Sequence, residues 1–320
     1  MLIAFLAFLF YVLFFQEYIM SNPFSFEFPE AVHNIILKSP KYILASDNIK
    51  LAYYDFLPSQ PKVIIIFYHG GGAWSNQIYQ YMAEQLNKKY NIATYLFDIR
   101  GHGNSQGPRG DATTTEQVFH DISSAIDFVS SKYPKCPVFL GGHSSGAGLI
   151  LNYNNWNKNP KINGYILLAP FLGPQSKTAY EHNDSSRRFI KHVRFIPLIL
   201  HALSNGFLFA HTPVIFFNYP ILEKEKDHYL LEYYTNTMAQ ATTPYDAKEI
   251  FTNLNNSYCL LIGELDEQFI PEKVISFTQF AKQIINDHSI FKIISQSSHL
   301  SIVIEAPCII AQWIQKEISR

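Results

Sequence analysis

The pentapeptide Gly-His-Ser-Ser-Gly at residues 142–146 has the residue types and spacing of a nucleophilic serine turn. A short apolar run at residues 137–140 precedes it, and a helix-like stretch at residues 147–151 follows it. Between a strand and a helix, the two glycines make room for a sharp turn that lifts the hydroxyl of the central serine off the edge of a sheet. The pattern therefore predicts that Ser144 is a nucleophile for acyl chemistry.

A serine hydroxyl becomes a good nucleophile when an imidazole takes its proton and a carboxylate orients that imidazole. In hydrolases with this kind of turn, the chain order is serine, acid, histidine. Of the twelve histidines, only His288 and His299 lie beyond the candidate acids. His288 precedes the last predicted strand, at the wrong edge of a parallel sheet, whereas His299 follows that strand. We expect His299 to be the base.

Three carboxylates follow the apolar run at residues 258–262, namely Glu264, Asp266 and Glu267. We choose Asp266 as the acid, because of its place in the loop after the strand. Its two neighbours are expected to be solvated carboxylates.

The loop at residues 69–72, His69-Gly70-Gly71-Gly72, follows the β-branched run at residues 63–68. A tetrahedral intermediate carries an oxyanion, which backbone N–H groups can bind. Glycines let the backbone approach a substrate, since no Cβ stands in the way. We predict that the N–H groups of Gly71 and Ser145 are the two donors.

These segments need a scaffold that brings them together, and the alternation of apolar runs and amphipathic stretches from about residue 40 supplies one. It predicts an α/β fold with a mostly parallel sheet and helices on both faces, so that all strands end at one edge. The predicted strands are a hairpin over 42–56 and then 63–68, 92–97, 138–140, 165–169, 258–262 and 290–294. The predicted helices are 77–90, 114–133, 148–156, 271–285 and 302–318. The alternation stops over about 171–250, which is long enough for an inserted helical cap, so the predicted domain spans 40–320.

The first 20 residues form an apolar segment, and residues 21–39 are expected to be a linker. A membrane-spanning helix needs about 20 apolar residues, a length this segment reaches only if it extends to Met20. We interpret it as an uncleaved membrane anchor. A cleaved export signal is one alternative, and a cytoplasmic protein whose translation starts at Met20 is the other.

The composition bears on partners and cofactors. A net charge of −1 with 16% charged residues argues against nucleic acid as a partner. The three cysteines lack metal-ligand spacing, so no metal is predicted. Basic residues at 187–194 stand beside an apolar run. We interpret them as a solvated helix face, and contact with an anionic lipid surface is the alternative.

Five segments together resemble a known family. They are the His-Gly-Gly-Gly loop, Asp-Ile-Arg-Gly-His-Gly-Asn-Ser at 98–105, the serine pentapeptide, Gly-Glu-Leu-Asp at 263–266, and Ser-His at 298–299. The combination is similar to the monoacylglycerol lipase and lysophospholipase group of α/β-hydrolases, also labelled serine-aminopeptidase-like. The resemblance implies an α/β-hydrolase fold, a triad of Ser144, Asp266 and His299, and a lid over an acyl pocket. The three-glycine loop is also similar to that of hormone-sensitive-lipase-type esterases.

The expected function is hydrolysis of carboxylic esters of lipids through an acyl-enzyme, without a cofactor. The expected partners are a small lipid ester and a membrane surface. Two alternatives stay open, namely a serine peptidase or amidase and a catalytically silent lipid-binding protein on the same scaffold. Acyl transfer to a second alcohol is a variant of the same mechanism.

Overall fold

A computed structural model describes residues 29–158, 160–180, 189–219 and 227–319. Its strands are β1 (Lys41–Leu44), β2 (Lys50–Phe56), β3 (Ile64–Tyr68), β4 (Ala93–Phe97), β5 (Val138–His143), β6 (Gly164–Leu168), β7 (Ile190–Val193), β8 (Pro213–Phe217), β9 (Tyr233–Thr235), β10 (Tyr258–Gly263) and β11 (Ile290–Ile294). Its α-helices are α1 (Glu30–His33), α2 (Gln77–Tyr90), α3 (Thr115–Lys132), α4 (Ser145–Trp156), α5 (Phe195–Leu203), α6 (Asn236–Thr242), α7 (Ala247–Thr252), α8 (Pro271–Ser276), α9 (Gln283–Asn286), α10 (Ser301–Glu305) and α11 (Pro307–Ile318).

An eight-stranded sheet forms the centre of the molecule, in the order β1-β2-β4-β3-β5-β6-β10-β11. Strand β2 pairs antiparallel with both β1 and β4, and the other five pairings are parallel. Only β2 therefore runs against the other seven strands. Every residue of β3, β4, β5, β6 and β10 is buried, as expected when helices cover both faces of a parallel sheet. The predicted α/β class with a mostly parallel sheet is confirmed.

Two of the predicted helices are interrupted. The segment predicted as a helix over 271–285 contains α8, a short 3-10 turn and α9, with an extended residue, Ala281, between the last two. The segment predicted over 302–318 divides into α10 and α11 at Pro307. Proline lacks an N–H and is favoured at the first position of a helix, so it starts α11 rather than continuing α10.

The insertion between β6 and β10 contains three strands in addition to the predicted helices. Strands β7, β8 and β9 form a separate antiparallel sheet with β8 in the middle. The sequence of β8, Pro-Val-Ile-Phe-Phe, is rich in β-branched and aromatic residues, which favour strands. Helices α5 and α6 both contact β8.

In the part of the chain that the structure describes, no helix has both the length and the apolar character that a membrane crossing requires. The predicted anchor at residues 1–20 and residues 21–28 of the predicted linker lie outside the described residues, whereas residues 29–39, which include α1, are described.

Candidate active site

Ser144 occupies the turn between β5 and α4, at the edge where the parallel strands end. Its backbone has φ 53° and ψ −119°, a region that non-glycine residues rarely adopt. Such a conformation costs on the order of 1–3 kcal/mol and needs support from its surroundings. The Ser144 N–H donates to the carbonyl oxygen of Leu168 at 2.9 Å, and the Ser144 carbonyl accepts from the N–H of Phe171 at 3.0 Å. The end of β6 and the residues after it therefore hold the turn in place.

The two glycines of the pentapeptide are required by close packing. A Cβ on Gly142 would lie 2.5 Å from the carbonyl carbon of Gly146. A Cβ on Gly146 would lie 2.2 Å from the carbonyl oxygen of His69. Both distances are far below any real carbon contact, and the obstructing atoms belong to the backbone, so neither position accepts a larger residue.

The structure brings the predicted serine, histidine and aspartate together. His299 follows β11, and its Nε2 is 3.0 Å from the Oγ of Ser144. Its Nδ1 is 2.8 Å from Oδ2 of Asp266, which follows β10. Since a carboxylate accepts the Nδ1 hydrogen, Nε2 is left free to accept the serine proton. The side chains of His299 and Asp266 are 7% and 0% exposed, so water does not compete for this pair.

The three candidate carboxylates have different partners. Asp266 uses its second oxygen, Oδ1, to accept from the N–H groups of Gln268 at 2.9 Å and Phe269 at 2.8 Å. These two bonds point Oδ2 at His299. Glu267 accepts from the backbone N–H of His299 at 3.0 Å. It therefore supports the histidine loop, a contact that the expectation of a solvated carboxylate missed.

Glu264 lies at the exposed edge of the same loop. It accepts from the hydroxyl of Ser295 at 2.7 Å and from the N–H of Gln296 at 3.1 Å. These bonds lower the pKa of Glu264, so its carboxylate is ionised at neutral pH. Asp266 alone of the three contacts the imidazole.

The pKa of His299 is raised above its ordinary value. Burial by itself would lower it, but the negative charges of Asp266 and then Glu267 outweigh that effect. The two carboxylates thus stabilise the imidazolium form, which a general base reaches once it has taken a proton.

The three glycines of the loop at residues 69–72 differ in how their N–H groups are bonded. The Gly70 N–H donates to the hydroxyl of Tyr79 at 2.8 Å, and the Gly72 N–H donates to the hydroxyl of Tyr234 at 2.9 Å. Among the described residues, the N–H of Gly71 has no hydrogen-bond partner. A Cβ on Gly71 would lie 3.0 Å from Oγ of Ser145. The two residues that are predicted to donate to the oxyanion are therefore neighbours in space, although they are distant in the chain.

The side chain of His69 stabilises this loop by two hydrogen bonds. Its Nδ1 donates to the carbonyl oxygen of Gly70 at 2.8 Å, and its Nε2 accepts from the N–H of Ile99 at 3.1 Å. Burial lowers the pKa of His69 to about 4, so the ring stays neutral and keeps this bonding pattern.

The loop at residues 98–105 packs beside the glycine loop and shapes it. Arg100 forms ion pairs with Asp47 and Asp121 at 2.7 and 2.6 Å. The Nε2 of His102 is 2.7 Å from the hydroxyl of Tyr234, which also accepts from Gly72. Arg100 is thus bonded to segments outside the glycine loop, whereas His102 is connected to that loop through Tyr234. Neither residue is hydrogen-bonded to Ser144 or His299 in the structure.

His288, the excluded alternative base, lies before β11 at the opposite edge of the sheet. Its Nδ1 is 3.9 Å from a carboxylate oxygen of Glu317 on α11. Within the described ranges, no group of three or more His, Cys, Asp or Glu side chains is arranged to hold a metal ion.

A cavity of about 730 Å³ opens onto Ser144 and His299. Most of its wall is apolar, and the insertion contributes a large share of it. On one side Glu264, Asp266 and Glu267 line the same cavity. The apolar lining residues include Phe171, Phe189, Ile190, Ile215, Phe217 and Phe269. A cavity of this size and character fits a largely apolar ligand with one polar end.

Known proteins match part of the chain in sequence. The family model described as serine aminopeptidase, S33, matches residues 59–204. Monoglyceride lipase from Rattus norvegicus is 31% identical over 140 residues, which are 43% of this chain and 45% of that protein. A putative monoglyceride lipase from Schizosaccharomyces pombe is 36% identical over 118 residues, or 35% and 30% of the two chains. The matches thus span less than half the length of these curated relatives.

Solved structures match nearly the whole chain at low identity. A soluble variant of monoglyceride lipase from Saccharomyces cerevisiae, in complex with a substrate analog, aligns with a TM-score of 0.65 at 17% identity, covering 92% of this chain and 99% of that one. Est1E from Butyrivibrio proteoclasticus, with ferulic acid bound, aligns with a TM-score of 0.61 at 17% identity, covering 88% and 100%. At this identity the likeness concerns the fold. The chain therefore has the α/β-hydrolase fold, and part of its sequence is similar to the serine aminopeptidase, S33, family and to monoglyceride lipases.

Proposed function

We propose that the protein is a serine hydrolase that cleaves carboxylic esters of lipids through an acyl-enzyme. The observation that carries the proposal is the hydrogen-bonded series Asp266–His299–Ser144 at the wall of a largely apolar cavity of about 730 Å³. The similarity to proteins named as monoglyceride lipases supports the same substrate class.

The reaction follows from the positions of these groups. The Oγ of Ser144 attacks the ester carbonyl carbon while Nε2 of His299 takes the serine proton, and Asp266 stabilises the resulting imidazolium. The carbonyl oxygen becomes an oxyanion, which the N–H groups of Gly71 and Ser145 bind. His299 then gives its proton to the leaving alcohol. Water, deprotonated by His299, attacks the carbonyl carbon of the acyl-enzyme. The bond between that carbon and Oγ of Ser144 then breaks, His299 returns its proton to Oγ, and the carboxylic acid leaves.

The architecture of the chain suits an ester with a long apolar part. We propose that the insertion of about 171–250 is a cap within a hydrolase domain of 40–320, and that the acyl chain lies against the aromatic and branched residues that the cap contributes. Phe189, Ile215 and Phe217 come from the insertion, and Phe171 stacks on Phe269 at a centroid distance of 5.8 Å. The low-dielectric wall also strengthens the hydrogen bonds to the oxyanion.

The head group of the substrate is neutral or cationic in this proposal. Glu264, Asp266 and Glu267 line the polar side of the cavity, and a phosphate group placed there would be repelled.

A substrate panel with one acyl chain tests both points. We expect a monoacylglycerol to be cleaved at least about tenfold faster than a lysophosphatidate, because of this repulsion. We expect Glu264→Gln to bring the ratio of the two cleavage rates closer to one. The matching acyl amide and an aminoacyl peptide complete the panel, and faster cleavage of either one would favour the peptidase or amidase alternative. Equal rates for the neutral and the phosphate-bearing ester would refute the head-group argument.

We further propose that the protein works at a lipid surface, held there by residues 1–20 as an anchor with residues 21–39 as its linker. A second observation supports this location. Ile199, Leu203 and Phe207 on the insertion are 53%, 77% and 85% exposed. Lys191 and Arg194 lie directly before this apolar surface in the chain. Exposed apolar side chains next to basic residues favour an anionic membrane interface.

This location predicts that Leu203→Asp with Phe207→Asp in the full chain lowers the ratio of vesicle-borne to soluble ester turnover about tenfold. The reason is that charged groups cannot insert into the lipid, and each lost side chain removes about 1.5–3 kcal/mol of apolar burial. The assay compares a monoacylglycerol in anionic vesicles with p-nitrophenyl butyrate in solution. Ile284→Asp is the matched control, since Ile284 is 68% exposed but lies outside the insertion. An unchanged ratio in the double variant, or an equal fall in the control, contradicts the proposed surface.

A further inference from the structure

The loops that carry Gly71 and His299 are connected through two buried side chains, Tyr79 and His143. The hydroxyl of Tyr79 accepts from the N–H of Gly70 at 2.8 Å and is 2.9 Å from Nδ1 of His143. On the other side of the ring, Nε2 of His143 is 2.9 Å from the carbonyl oxygen of His299. Three hydrogen bonds therefore run without a gap from the glycine loop to the backbone of the histidine loop.

The chemistry of the partners dictates the direction of these bonds. A carbonyl oxygen only accepts, so Nε2 of His143 must carry the ring hydrogen. The bare Nδ1 then accepts the hydroxyl hydrogen of Tyr79, whose oxygen is free to accept from Gly70. Burial, together with the nearby His299, holds the pKa of His143 well below its ordinary range, so the ring keeps a single hydrogen.

The connection is rigid and closely packed. Tyr79 is 2% exposed and His143 is 1% exposed. The rings of His143 and His299 have centroids 4.8 Å apart. A Cβ on Gly70 would lie 3.1 Å from Nδ1 of His143, so the glycine lets the loop backbone approach the ring. His143 also precedes Ser144 in the chain, which joins the same ring to the nucleophile through the backbone.

We propose that Tyr79 and His143 are positioning residues that hold the oxyanion donor of Gly71 and the imidazole of His299 at fixed places relative to Ser144. This inference rests on the proposed function. The two side chains touch no substrate, and they act through the loops to which they are bonded. Because the bonds are in series, loss of either side chain disconnects the two loops, and a displacement of about 1 Å at a reacting group can cost on the order of a hundredfold in rate.

Kinetics of single and double variants provide the first test. We expect Tyr79→Phe and His143→Leu each to lower kcat about tenfold or more and to leave KM within about twofold. The double variant should lose little more than the worse single variant, since both changes break one series. His143→Gln should recover part of the loss seen with leucine, because an amide carries both a donor and an acceptor.

Tyr165→Phe is the matched structural control. Tyr165 is also fully buried, and its hydroxyl donates to Oδ1 of Asn154 at 2.6 Å. Asn154 lies ten residues beyond Ser144, about 15 Å along the helix. This variant removes a comparable buried hydrogen bond, so thermal melting should show a similar loss of stability without the fall in kcat. A fall in kcat equal to that of Tyr79→Phe, or no fall in Tyr79→Phe, overturns the proposal.

A second readout needs no catalysis. The hydrogen between Nδ1 of His299 and Asp266 gives a low-field proton NMR signal, and its pH titration reports the surroundings of the imidazole. The titration midpoint should move in Tyr79→Phe and His143→Leu but not in Tyr165→Phe, and an unmoved midpoint in all three overturns the proposal. Fluorophosphonate labelling of Ser144 in the wild-type chain tests the proposed function separately. If wild-type Ser144 is not labelled, the proposed function fails, while the NMR titration still decides the positioning role.

Discussion

Ser144→Ala is expected to remove ester turnover, with a fall in kcat on the order of 10⁶-fold. Loss of the nucleophile from a triad that acts as a unit costs about this much, and what activity remains comes from the oxyanion donors and substrate binding. The fold should be retained, since alanine fits the space of serine and the backbone bonds of Ser144 to Leu168 and Phe171 do not use its side chain. Turnover of p-nitrophenyl butyrate and circular dichroism measure the two effects.

Ser145→Ala gives the comparison within the same pentapeptide. It keeps the N–H that is proposed to bind the oxyanion, so its loss should be smaller by several orders of magnitude. A fluorophosphonate should label wild-type and Ser145→Ala protein but not Ser144→Ala protein. Substantial activity in Ser144→Ala would contradict the assigned nucleophile. An unlabelled wild-type chain would instead favour the silent lipid-binding alternative.

Asp266→Asn is expected to lower kcat on the order of 10⁴-fold at neutral pH. Asparagine can keep its oxygen on the N–H groups of Gln268 and Phe269, where Oδ1 of Asp266 now accepts two bonds. Its NH₂ group then faces Nδ1 of His299 and can only donate. The imidazole is forced to carry its hydrogen on Nε2, and in this tautomer it cannot take the proton of Ser144.

Glu267→Gln is the matched control for the acid, because it removes a neighbouring negative charge without touching the imidazole ring. Glutamine still offers an oxygen to the N–H of His299, which Glu267 now binds at 3.0 Å. We expect a loss of about tenfold or less. The measurement is kcat for a soluble ester in each variant at one pH. A larger loss in Glu267→Gln than in Asp266→Asn would move the acid assignment to Glu267.

The sequence alone determined those features that depend on local pattern and chain order. Apolar β-branched runs between amphipathic stretches predict a parallel sheet covered on both faces, and that class is confirmed. Parallel strands end at one edge of a sheet, and His299 follows the last strand whereas His288 precedes it. This order identified His299 rather than His288 as the expected base. The two glycines around Ser144 predict a turn with close backbone contacts. Each of these inferences uses only periodicity, direction of the chain or the absence of a Cβ.

Other features depend on how distant segments pack. Glu264, Asp266 and Glu267 lie in one loop, so local sequence pattern does not distinguish them. The acid is the carboxylate that two backbone N–H groups orient toward the imidazole, and that depends on the folded loop. The Tyr79–His143–His299 connection joins residues 64 and 156 positions apart. The strands of the insertion form because β8 finds partners on both sides. Tertiary structure decides these points, because a hydrogen bond between distant residues depends on the distance and angle between them in three dimensions. Local periodicity of the sequence determines neither quantity.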